Sequence, residues 1–154
     1  MDKIKFVDSP MSKQLTELIK GCGHRRAAMW ATECADHVLS LFERHHPDDM
    51  RPRKAIEAGR AWARGELSMS AARAASFAAH AAARDASHSS ASAAARAAGH
   101  AAATAHVIGH AAHAATYAAK AVSSASHPAE AADNTASERQ WQWHQLIQSP
   151  SSRV

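Results

Sequence analysis

Apolar positions along this chain recur at helical spacing, and no stretch alternates in the way a half-buried strand does. Residues 1–9 read as a flexible arm. Ser9-Pro10 opens a short helix, Met11 to Lys20, with Leu15, Leu18 and Ile19 inward and glycines at 21 and 23 ending it. The clearest pattern runs from about Arg25 to His45. There Ala27, Trp30, Ala31, Cys34, Ala35, Val38, Leu41 and Phe42 share an arc of roughly 140°, opposite Arg25, Glu33, Asp36 and Glu43. His37 sits at the edge of this stripe, and Pro47 closes the helix.

Asp48-Asp49-Met50-Arg51-Pro52 predicts a capped turn into a third helix reaching about Arg64. Ser68 or Ser70 caps a fourth, Ala71 to about Ala86. The cluster Ser87-His88-Ser89-Ser90 interrupts the pattern before a fifth helix from about Ala91. Val107-Ile108-Gly109 marks either a kink or a short connection on the way to Val122. A last helix lies between Pro128 and Gln148, anchored by Trp143, Leu146 and Ile147, and residues 149–154 read as a disordered tail. The fold class is all-α: a compact bundle of about six to seven helices, with closely packed alanine-rich central helices, in a single domain over 1–154.

Composition explains why those central helices pack closely. Between Ala71 and Ala125, 28 of 55 residues are alanine, the best helix former and the side chain that keeps helix axes least apart. Only 5% of residues are aromatic, so Trp30, Phe42, Trp62, Phe77, Tyr117, Trp141 and Trp143 are expected to anchor the packing. The net charge of +4 and a pI near 9.4 suit acidic partners. Carboxylates interleaved among the basic residues disfavour nucleic acid. No apolar run is long enough to span a membrane or to serve as a signal peptide, and Cys22 and Cys34 have neither zinc nor redox spacing. Free thiols and a cytoplasmic location are expected.

The twelve histidines carry the candidate chemistry. On a continuous helix His106, His110, His113 and Tyr117 fall within about 60° of one another, while His100 points about 120° from His106. His80 shares a helix face with Arg73, Phe77 and Arg84. His106 and His110, one turn apart, form the best pair for a divalent transition metal such as zinc, copper or nickel. No His-Glu-x-x-His motif is present and no carboxylate lies within 100–117, so hydrogen bonding between packed helices is the favoured role and no cofactor is expected. Phosphate-binding loops and nucleophile elbows are absent, and the Ser-His neighbours at 87–90 and 124–127 lack an orienting acid. Cys34, near His37, faces the core, where a thiol is inert.

The run Trp30-Ala31, Cys34-Ala35-Asp36-His37-Val38-Leu39-Ser40-Leu41-Phe42-Glu43, then Pro47-Asp48-Asp49 and Arg51-Pro52-Arg53-Lys54-Ala55-Ile56-Glu57-Ala58, resembles bacterial immunity proteins with an all-helical domain. Arg60-Ala61-Trp62-Ala63-Arg64-Gly65-Glu66, Ala79-His80-Ala81-Ala82 and Ala97-Ala98-Gly99-His100-Ala101-Ala102-Ala103-Thr104-Ala105-His106 with His110 extend the resemblance over about 25–124. Ser40 stands where that family usually has proline. The resemblance implies a protein that binds and neutralises a cognate toxin without catalysis. It directs attention to His80, His100, His106, His110, Asp48, Asp49 and Arg51 as ligand or partner residues, with His113 read as local. The competing readings are a metal- or small-molecule-binding helical protein using the four matched histidines, and a structural protein that responds to pH as histidines charge.

Overall fold

A computed structural model describes residues 5–148. These form α1 (Met11–Lys20), α2 (His24–Val38), α3 (Ser40–Glu43), α4 (Arg51–Ala63), α5 (Met69–Asp85), α6 (Ser89–Ala103), α7 (His110–Ala125) and α8 (Ala131–Gln148). Among the described residues there is no strand, so the all-α expectation holds, with seven helices and the single turn α3. Among the described residues no helix is long and apolar enough to cross a membrane. The expected tail, 149–154, and residues 1–4 of the expected arm lie outside the described residues.

The α2 stripe is buried as its periodicity predicts, from Ala27 through Trp30, Ala31, Cys34 and Ala35 to Val38. The predicted single helix to His45 is interrupted at Leu39, whose amide bonds three residues back to Asp36 O at 3.2 Å before the turn α3 buries Phe42. The loop before α4 is held as the sequence suggests: Asp49 Oδ1 accepts from the Arg51 amide at 3.1 Å, and Pro52 lies in the first turn. Ser68, rather than Ser70, caps α5, accepting from the Ala71 amide at 3.1 Å.

Alanine-rich α6 is the central element, packed by α5, α7, α4, α2 and α3, with no exposed residue after Ser89. A helix that is mostly alanine is buried over most of its circumference, with Arg96 and His100 left half-buried. The same logic applies to its neighbours at their closest points. A Cβ on Gly59 of α4 would lie 2.7 Å from Thr32 Cγ2 of α2 and 3.4 Å from the Ala101 carbonyl of α6. Thr32 is β-branched, buried, and bonded through its hydroxyl to Met29 O at 2.6 Å, so it cannot swing aside. Gly59→Ala is therefore expected to cost about 1–2 kcal/mol after the gain in helix propensity. The cost should read as a melting point lower by about 3–6 °C; an unchanged or raised value would contradict this packing.

The possible continuity from Ala91 to Val122 resolves into a short connection. At the end of α6 the Thr104 amide is shared between His100 O and Ala101 O, at 3.0 and 3.3 Å, and the next two amides bond three residues back, Ala105 to Ala102 O at 3.2 Å and His106 to Ala103 O at 2.9 Å. Residues 104–109 then turn the chain into α7. Two of the expected anchors are not core residues: Phe77 is 60% exposed, with the Arg73 guanidinium 5.4 Å over its ring, and Ile147 is 46% exposed.

α8 is docked mainly through polar groups. Trp30 Nε1 of α2 donates to Gln142 O at 2.9 Å, and Gln142 Nε2 donates to Ala115 O of α7 at 2.9 Å. The buried Arg139 guanidinium donates twice to Asp8, at 2.9 and 2.8 Å, and once each to Thr116 Oγ1 and Gln142 Oε1. Residues 5–9 have no regular structure, and this ion pair ties them to the bundle.

Candidate functional site

The break between α6 and α7 decides which histidines meet. With α7 restarted at His110, the His100 ring faces it, centroids 5.2 Å apart, and the two Nδ1 atoms lie 3.0 Å apart. His100 also packs edge-on against His80 of α5 at 4.9 Å, stacks on Tyr117 at 5.2 Å and lies 5.3 Å from His113. His113 is 5.8 Å from His110, so it belongs to the cluster and is not a local residue. The expectation that His100 points away assumed a continuous helix, and the turn at 104–109 overturns it. His106 sits exposed in that turn, in none of the ring pairs. Thus His80, His100 and His110 converge with His113 and Tyr117, while His106 stands at the margin. Among the described residues no three His, Cys, Asp or Glu side chains are grouped to hold a metal ion.

Hydrogen bonding restricts the protonation of this cluster. Arg96 Nη1 donates to His80 Nδ1 at 3.0 Å, which leaves the His80 proton on Nε2 and a guanidinium beside the ring. In the His100–His110 pair one Nδ1 must donate and the other accept, so the bond is lost if both rings are charged. The ring of His80 also lies where a Gly99 side chain would be: a Cβ there would fall 2.8 Å from its Cε1 and Nε2. Burial, then Arg96, His110 and Arg84, lowers the His80 pKa to about 4. Burial, then His80, His110, His113 and Arg96, lowers that of His100 to about 3. His110 is lowered by burial and by His113 and His106.

These shifts have a definite sign. An unfolded chain takes up the protons near 6.5, whereas the folded cluster resists until about 4 for His80 and about 3 for His100. The stabilisation is complete above 6.5 and is lost as the pH falls through that window. Unfolding free energy is expected to drop by about 2–4 kcal/mol between pH 7 and pH 5. His100→Gln should remove close to half of that slope, read by urea unfolding at each pH. An equal slope in the variant would show that other groups carry it.

Asp48, Asp49 and Arg51 lie elsewhere. Arg51 donates to both Asp49 oxygens at 2.9 and 2.7 Å and to Asp85 at the end of α5 at 3.0 Å. The Arg51 hydrogen bond holds the Asp49 carboxyl below its usual range. These residues and His45, His46 and Pro47 line an open pocket of about 750 Å³. Beside it His45 stacks on His88 at 3.7 Å, and Ser87 Oγ lies 3.2 Å from His46 Nε2 and 2.9 Å from His88 Nδ1. No carboxylate among the described residues bonds to either ring, so Ser87 lacks the arrangement that would activate it.

Two features escaped the hydrophobic pattern. His37 Nδ1 bonds to Glu138 Oε2 at 2.7 Å and its ring lies flat on Trp141 at 3.6 Å, beside Glu33, Asp36 and Arg60. Cys34 beneath them is fully buried, and burial with Glu138 and Glu33 pushes its thiol well up, which makes it unreactive. The second is the distribution of carboxylates. Acidic and basic residues interleave up to Glu66 and again from Glu130, but between Leu67 and Ala129 the sole carboxylate is Asp85, already paired with Arg51. Arg73, Arg84, Arg96 and Lys120 lie in the same stretch.

A family model described as Imm-5 like putative immunity protein matches residues 17–149. The chain belongs to this family. The match extends the resemblance read from 25–124 back to the last turn of α1 and forward over the whole of α8, so the polar docking of α8 lies inside the family's domain. No curated protein and no solved structure significantly matches this immunity-family chain.

Proposed function

We propose that the protein binds a partner toxin and neutralises it by stoichiometric association, without a catalytic step of its own. Membership of an immunity-protein family over nearly the whole chain carries this reading. The site geometry agrees with it: Cys34 is buried with a raised pKa, and Ser87 has no orienting acid. A binding protein needs only a complementary surface, and α5–α7 carry one that is chemically distinct from the rest of the molecule. The test is co-expression with a cognate toxin domain. One-to-one co-purification and protection of growth are the expected outcomes. Failure of both, with the toxin folded and active, would overturn the proposal.

A further inference from the structure

The helices α5, α6 and α7 present a continuous face. On α5, Arg73, Phe77, His80 and Arg84 follow one another at three- and four-residue intervals. His80 meets His100 of α6, His100 meets His110 and Tyr117 of α7, and Lys120 lies 4.8 Å over the Tyr117 ring. We propose that this face docks an acidic surface of the partner protein, with Arg73, Arg84 and Lys120 at its rim and His80, His100 and His110 at its centre. The proposal rests on the partner-binding reading above and deepens it.

Charge complementarity is the main support. Every charged or titratable group that acts on the three central histidines is cationic or another histidine: Arg84 from α5, Arg96 from α6, His113 from α7 and His106 from the connection. The carboxylates nearest the face are occupied. Asp85, at the end of α5, is held by Arg51 of α4, and Asp8, which faces Lys120, is held by Arg139 of α8. Such a surface leaves its positive potential uncompensated within the molecule, and an acidic partner would compensate it. Phe77, 60% exposed, and Val107, 47% exposed, supply apolar contact beside the charges.

Docking of carboxylates has a further consequence. A partner's negative charge favours the protonated form of imidazoles that the free protein keeps neutral, so complex formation takes up protons. Affinity therefore rises as the pH falls, down to the window below about 6.5 in which the fold itself loses stability.

A decaglutamate peptide serves as the acidic probe, with the histidine ring resonances of the full chain followed by NMR. Saturable shifts of His100 and His110 are expected. Arg73→Glu/Arg84→Glu should weaken binding at least about tenfold, and raising salt from about 0.05 to about 0.5 M should do the same. The same charge change on α1, Lys13→Glu/Lys20→Glu, should leave it within about twofold. Both arginines are exposed, so melting points will show that the variant is folded. Absence of ring shifts, or equal loss in both variants, overturns the proposal. Tighter binding of a short DNA duplex than of the peptide also overturns it, in favour of nucleic acid. With the toxin itself, a complex that forms and is unaffected by Arg73→Glu/Arg84→Glu removes this face while leaving the immunity reading intact. If no toxin complex forms, the immunity reading fails and the peptide result still decides the face.

Discussion

Trp30→Ala will lower the unfolding free energy by about 3–5 kcal/mol, toward the upper end of the range for large buried side chains. Trp30 is the largest fully buried side chain in the protein. Around it the core consists mostly of alanines on α2, α6 and α7, which have no side-chain length with which to fill the space left behind. A cavity that cannot collapse costs more than one lined by long, adjustable side chains. The substitution also removes the Nε1 donor to Gln142 O, one of the bonds that hold α8 to α2. Trp30→Phe retains most of the buried area but not the donor, and is expected to cost about 1–2 kcal/mol. Urea unfolding followed by circular dichroism separates the two. A loss below about 1 kcal/mol for the alanine variant would show that the alanine core repacks freely.

The alanine content that makes Trp30 so important also limited what could be read from the sequence. Where a helix has contrast between large apolar and charged residues, as in α2, both its inward stripe and its approximate ends were legible. α6 and α7 have almost no contrast, because alanine is acceptable on any side of a helix. The sequence therefore left open whether 91–122 is one helix. The histidine geometry depended on that single choice: continuity groups His106 with His110, and the break groups His100 with His110. The turn at 104–109 that decides it is held by amides bonding three residues back, hydrogen bonds that no periodicity records.

α8 was hidden for a different reason. Its buried positions, Ala131, Thr135, Glu138, Arg139, Gln142 and Leu146, keep regular helical spacing, but four of the six are polar. A search for apolar stripes selects Trp143, Leu146 and Ile147 instead and turns the helix partly the wrong way. Phe77 illustrates the converse, an aromatic assigned to the core that lies on the outer face with Arg73. The carboxylate-poor stretch from 67 to 129 was legible without any structure, once acidic positions are followed separately from basic ones. What the fold adds is that its three helices are neighbours, so a gap in the sequence becomes a patch on the surface.

Arg139→Ala is expected to destabilise by about 3–5 kcal/mol, although it removes a charged residue from the interior. The guanidinium, 2% exposed, connects the arm at Asp8, α7 at Thr116 and α8 at Gln142. Without it Asp8 loses its partner. Burial pushes the Asp8 carboxyl up, but the Arg139 hydrogen bonds and charge outweigh that and hold it below its ordinary value. Its contribution to stability is present above the unfolded-state value of 3.8 and is lost as the pH falls through the folded one. Asp8→Ala alone leaves an unpaired guanidinium in the core and should cost a comparable amount. The double variant should cost clearly less than the sum, with a coupling of about 1–3 kcal/mol. Arg139→Met/Asp8→Leu, which fills the volume without burying charge, should recover most of the loss. Additive single effects in urea unfolding would mean that the pair is not coupled. Because Thr116 lies one residue before Tyr117, loosening this junction should also shift the histidine ring resonances of the α7 face.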